Sequence, residues 1–84
     1  MKYCVYVLRS LRNDDIYVGS TENIEKRISL HNAGKVRSTK PNRPWKLLEH
    51  YEYNSRSEAV KQEGFLKTHQ QKEMIKRTFG HVVK

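Results

Sequence analysis

Apolar and polar positions divide the chain into strand, strand, helix, strand, helix, helix. Residues 2–9 carry an almost unbroken β-branched and aromatic run, Tyr3 to Leu8, as expected of a strand buried on both faces. Ser10 to Asp15 is polar, and Asn13-Asp14-Asp15 suits a hairpin turn. Ile16-Tyr17-Val18 is the returning strand. Gly19 ends it, where the backbone turns or another group comes close. A helix follows, capped by Ser20 or Thr21, with Glu22 in its first turn and Ile24, Ile28 and Leu30 as a narrow apolar stripe. Asn32-Ala33-Gly34 stops it, Gly34 being free to take a positive φ.

Residues 35–46 are basic and polar with Pro41 and Pro44, which predicts a loop or a short irregular helix. Trp45 to Tyr53 is the third strand, packing through Leu47, Leu48, Tyr51 and Tyr53. Ser55-Arg56-Ser57-Glu58 matches a capping box. The second helix then runs from about Arg56 through Ala59, Val60, Glu63 and Leu66 to about Thr68. Gly64 inside it costs about 1 kcal/mol against alanine, or marks a close contact. A last helix spans Gln71 to Phe79, with Met74, Ile75 and Phe79 on one side and Gly80 as its stop. The order predicts an α+β fold, a small three-stranded antiparallel sheet flanked by helices.

Eighty-four residues allow a single domain, 1–84, with one modest core. Charge then narrows the class of partner. Seventeen Lys and Arg stand against nine Asp and Glu, a net +8. Lys26, Arg27, Lys35, Arg37, Lys40, Arg43 and Lys46 fall between Lys26 and Leu48 without one acidic residue. So concentrated a field selects polyanions, although a basic surface can also serve solubility alone. The one cysteine, Cys4, excludes an intramolecular disulfide and a cysteine-type zinc site. Its strand position reads as a small buried hydrophobe. With no membrane-length apolar run and no h-region after Lys2, the expectation is a cytoplasmic monomer.

Five groups can carry chemistry. Tyr6 and Tyr17 lie on strands joined by a hairpin, and their hydroxyls converge if both face one side. A phenol is a poor base at its usual pKa of about 10, and a nearby cation makes the phenolate easier to form. Taken alone, both rings read equally as core aromatics. Arg27 and His31, spaced i, i+4, share a helix face. Arginine clamps phosphate bidentately and histidine relays protons, while the bland alternative is a solvated pair at a helix end. Glu63 can hold Mg²⁺, an ion that needs few protein ligands. It can equally form a surface pair with Lys67, also i, i+4. His50, His69 and His81 show no ligand spacing and read as surface residues.

The combination in this order resembles the GIY-YIG nuclease family. Cys4-Val5-Tyr6 stands at its first signature triplet and Tyr17-Val18-Gly19 at its second, with the family's separation. Arg27 falls on its helical arginine, His31 on a histidine of many members, and Glu63 in the helix of its metal-binding glutamate. The match covers essentially the whole chain. Arg43-Pro44-Trp45 and Gln62-Glu63-Gly64-Phe65-Leu66-Lys67 look like segments of the small, single-domain bacterial group. The resemblance implies hydrolysis by an in-line water with one divalent metal, Mg²⁺ or Mn²⁺, on Glu63. Arg27 would stabilise phosphoryl charge. One tyrosine would assist water activation and the other would orient phosphate or water, with Tyr6, paired with His31, favoured as the base-side residue. Three positions depart from the family. Cys4 replaces a usual glycine, Ser20 stands where some repair members have lysine, and no asparagine follows Glu63. Gln70 and Gln71 are the available amides.

The leading expectation is a metal-dependent DNA endonuclease of the DNA-repair kind, with RNA left open. Lys26, Lys35, Arg37, Lys40, Arg43 and Lys67 would contact the nucleic acid. No recognition helix or finger is spaced for base edges, so structure rather than sequence would be preferred. The alternatives are a nucleic-acid-binding module without catalysis and a protein-interaction domain on an RNA-containing assembly.

Overall fold

The computed structural model describes residues 2–80, apart from the side chains of His69, Gln70, Lys76, Thr78 and Phe79. The readings of His69 and Phe79 as side chains, and of His81, therefore lie outside the described residues. Strands β1 (Tyr3–Ser10), β2 (Ile16–Thr21) and β3 (Trp45–Tyr53) form one antiparallel sheet in the order β2-β1-β3. Helix α1 (Ile24–Asn32) follows β2, a 3-10 turn at Lys40–Asn42 precedes β3, and α2 (Arg56–Leu66) and α3 (His69–Gly80) end the chain. This is the α+β arrangement that the segment order predicts.

Central β1 explains the unbroken apolar run, because both of its faces are covered. Val5 and Val7 join Ile16, Val18 and Ala59 of α2, with Leu66 and Ile75 packed against them. Tyr6 and Leu8 join Trp45 on the opposite face, covered by Tyr17, Ile24, Ile28 and Leu47. Leu47 and Leu48 are neighbours in β3 yet serve opposite faces. The register slips between Val7 and Leu8, where Leu48 is the extra residue of a bulge.

Several local expectations change. The cap of α1 is Asn23, whose side chain accepts from Lys26 N at 3.1 Å, not Ser20 or Thr21. The strand continues past Gly19 to Thr21, so both hydroxyls are still on β2. At the other end of α1, Gly34 adopts φ +76° as expected, with the Arg43 guanidinium lying where a Cβ would stand. Helix α2 stops at Leu66 rather than Thr68, and α3 begins at His69 rather than Gln71. Ser55 does accept from Glu58 N, at 3.2 Å. Tyr51 is exposed rather than packed. Among the described residues, no helix is long and apolar enough to cross a membrane.

Candidate active site

Alternation along β1 and β2 sends Tyr6 and Tyr17 to the α1 side of the sheet. Tyr6 lies opposite Gly19 in the register, and its ring uses the space that glycine leaves. A Cβ at position 19 would stand 2.5 Å from the Tyr6 hydroxyl and 2.6 Å from Cζ. Gly19 is therefore a close approach and not a chain reversal. The two phenol rings lie 6.3 Å apart.

One turn apart on α1, Arg27 and His31 come down on the same phenol. Arg27 Nε–H donates to Tyr6 Oη at 3.4 Å, and His31 Nε2 is 2.9 Å from that oxygen. His31 is 0% exposed, so the alternative of a solvated histidine at a helix end is wrong. Its ring sits edge-on to Tyr17 at 5.0 Å, and its other nitrogen, Nδ1, is 2.7 Å from Thr39 Oγ1. Burial, and next the positive charge of Arg27, lower the His31 pKa to about 4, so the imidazole is neutral at pH 7. Burial pushes the Tyr6 phenol above its ordinary value, and the Arg27 hydrogen bond works against it without prevailing. In the free protein Tyr6 is thus a neutral phenol: Arg27 eases its ionisation as expected of a nearby cation, but burial outweighs it. Arg27 is held charged, chiefly by its hydrogen bond to Tyr6.

Glu63 arrives from α2. Its Oε1 accepts from the Ser20 hydroxyl at 2.5 Å and its Oε2 meets Lys67 Nζ at 2.6 Å. Burial raises the carboxyl's pKa, but the bonds from Lys67 and Ser20 outweigh it and hold the group ionised below the usual range. Its charge in turn bears on Tyr6, raising the phenol's pKa. Among the described residues no three His, Cys, Asp or Glu side chains gather. One ionised carboxylate with a hydroxyl beside it suits a hard divalent cation that keeps most of its waters, not one caged by protein ligands. Lys67 occupies part of that carboxylate, so any cation there competes with it.

Tyr6, Tyr17, Arg27 and His31 thus gather on the α1 side of the sheet, while Glu63 contacts Ser20 and Lys67 and bears on the group through its charge on Tyr6. Of the basic set, Lys26 stands exposed on α1, Lys35 and Arg37 in the following loop, Lys40 in the 3-10 turn and Arg43 just after it. Lys67 is tied to Glu63. Gln71 is half-buried on α3, and the Gln70 side chain lies outside the described residues. Sequence reading missed Thr39 and Ser20. Ser20 had a signal, since it continues the Ile16, Val18 alternation toward the α2 face. Thr39 had none, because it lies eight positions beyond His31, in irregular chain past the end of α1.

Known proteins resemble this chain in family and in fold. The family described as the GIY-YIG catalytic domain matches residues 2–77. The chain is 37% identical over 76 residues to a UPF0213 protein of Staphylococcus haemolyticus, covering 89% of this chain and 92% of that one. It is 44% identical over 52 residues to the structure-specific endonuclease subunit SLX1 of Podospora anserina, covering 55% of this chain but 15% of that protein. The solution NMR structure of a UPF0213 protein from Bacillus halodurans superposes with a TM-score of 0.54 at 28% identity, over 89% of this chain and 82% of that one.

Proposed function

Because the chain belongs to the GIY-YIG catalytic-domain family, we propose that it is an endonuclease that hydrolyses DNA phosphodiester bonds with one divalent cation, Mg²⁺ or Mn²⁺, at Glu63. The observation that carries this is the convergence on one buried phenol of a neutral imidazole at 2.9 Å and a guanidinium at 3.4 Å, with the charge of the Glu63 carboxylate reaching that phenol.

The chain's own groups divide the work as follows. Arg27 binds the non-bridging phosphate oxygens and stabilises the charge that grows there. Tyr6 takes a proton from the attacking water as its own hydroxyl proton passes to His31 Nε2. This concerted transfer avoids a free phenolate, which burial disfavours. Substrate prepares the acceptor. After burial, it is the charge of Arg27 that depresses His31, and a phosphodiester seated on Arg27 cancels that charge and makes the imidazole a better base. Tyr17, packed edge-on against His31, keeps the imidazole in plane and lines the phosphate position. The cation, when bound, supplies positive charge to the leaving oxygen. Lys26, Lys35, Arg37, Lys40 and Arg43 hold the strand's backbone, a sequence-independent interaction that weakens with salt. A relative named as a structure-specific endonuclease subunit supports branched or nicked DNA as the preferred shape.

The absence of asparagine after Glu63 favours a second reading, a binding module that does not cut. Incubation of the protein with duplex, nicked and branched DNA, with Mg²⁺ or Mn²⁺ and with EDTA, separates the two. Metal-dependent products support the nuclease, and salt-dependent binding without product supports the module.

A further inference from the structure

We infer that Thr39 is a positioning residue that fixes the proton-accepting tautomer of His31; this rests on the proposed pairing of Tyr6 with His31. Thr39 is 1% exposed and sits in the irregular basic stretch between α1 and β3, remote from every signature triplet. Its place is set by its backbone, not by its hydroxyl. Thr39 N–H donates to Val36 O at 3.2 Å, and Thr39 O accepts the Trp45 indole N–H at 2.9 Å. The hydroxyl is left for two contacts, His31 Nδ1 at 2.7 Å and the Val36 carbonyl at 3.3 Å.

Counting hydrogens decides the direction of the chain. Val36 O also takes the Thr39 and Lys40 N–H groups at 3.2 and 3.0 Å; with Thr39 Oγ1–H turned to that carbonyl as well, the hydroxyl oxygen accepts from His31 Nδ1–H, and the Tyr6 hydrogen selects this arrangement. His31 Nε2 then carries no hydrogen and accepts from Tyr6 Oη–H. Every polar hydrogen in the run has a partner. In the other tautomer Nε2–H would donate to Tyr6 Oη, where Arg27 already donates. The Tyr6 hydroxyl hydrogen, on a side chain 1% exposed, would then have no acceptor in the hydrogen bonds of this site, a costly arrangement in a buried place. The tautomer that satisfies the whole network is the one that can receive a proton from Tyr6. During the reaction the water proton passes to Tyr6 Oη, the Tyr6 proton passes to Nε2, and the imidazolium keeps Nδ1–H on Thr39.

The test compares Thr39→Val, which keeps the shape and removes the acceptor, with Thr39→Ser, which keeps the hydroxyl. The His31 imidazole ¹⁵N shifts are read by NMR beside single-turnover cleavage and DNA affinity. The native protein is expected to show the Nδ1–H tautomer. Thr39→Val should lose it and cut at least tenfold more slowly, approaching the roughly hundredfold that positioned acid–base groups supply, with DNA affinity unchanged. Thr39→Ser should stay near the native protein in both. An Nε2–H tautomer in the native protein overturns the inference even if Thr39→Val fails to fold, as does Thr39→Val retaining the native tautomer and rate. A lost tautomer with an unchanged rate would leave Thr39 as the fixing residue but remove His31 as the proton acceptor, so that failure would belong to the proposed pairing.

Discussion

Replacing Gly19 by alanine should damage cutting and folding alike, and the structure says by how much. The backbone there is outside the left-handed region, which among the described glycines only Gly34 occupies, so the effect is purely steric. The new methyl would stand 2.5 Å from Tyr6 Oη and 2.6 Å from Cζ, where ordinary contact begins at 3.4 Å; the phenol must withdraw by about 0.9 Å. Tyr6 is buried, with His31 and Arg27 against its hydroxyl, so the ring cannot yield without disturbing the 2.9 Å bond to His31. Overpacking of this size costs roughly 2 kcal/mol, a fall in Tm of about 10 °C for a domain of this length. A displacement near 1 Å at the reacting groups costs on the order of a hundredfold in rate. Thermal melts and single-turnover cleavage, with DNA affinity as the control, measure all three. Gly64→Ala is the matched comparison: its methyl would meet nothing within 4 Å, and removing a mid-helix glycine should stabilise by up to about 1 kcal/mol. Native cleavage and native Tm in Gly19→Ala would refute the claim that the gap at position 19 seats the Tyr6 hydroxyl.

Two further outcomes follow from the charges. His31 titrates at about 4 when folded against 6.5 in the unfolded chain, so the unfolded state takes up the proton first as pH falls. Its contribution is complete above pH 6.5 and is lost between 6.5 and 4, on the order of 3 kcal/mol. Denaturant melts at pH 7 and pH 4.5, repeated on His31→Gln, check this; an NMR titration placing His31 near 6.5 would refute it. Lys67 shares the Glu63 carboxylate, so Lys67→Ala should tighten Mn²⁺ binding by about twofold to fivefold, the range of one partly exposed ion pair. Calorimetric titration in the absence of DNA reads it, and unchanged or weaker binding counts against a cation at Glu63.

Much of the fold was legible because its signals are local. The β1 run, the Asn13 to Asp15 turn, Gly34 and the Ser55 cap each depend on a few neighbouring residues. The candidate site groups were suggested partly by spacing, eleven residues from Tyr6 to Tyr17 and one helical turn from Arg27 to His31, and partly by the resemblance to the family, which singled out Glu63. What escaped depends on partners distant in sequence. Ser20 looked like a helix cap until the third residue past it, Asn23, took that role and the hydroxyl turned to Glu63, 43 residues away. Thr39 reads as one more polar loop residue until the chain folds it onto His31. Protonation was the least legible feature, because burial, which no short motif encodes, is the largest cause acting on both Tyr6 and His31.

Whether this site cuts DNA with a cation at Glu63 is read from cleavage of labelled branched, nicked and duplex DNA in Mg²⁺ or Mn²⁺, beside EDTA and beside Glu63→Gln. Metal-dependent products, strongest on interrupted or branched DNA, are expected to vanish in EDTA and in Glu63→Gln while that variant keeps the native Tm and DNA affinity. Salt-sensitive binding with no product in either metal, or products that persist in Glu63→Gln, would contradict it.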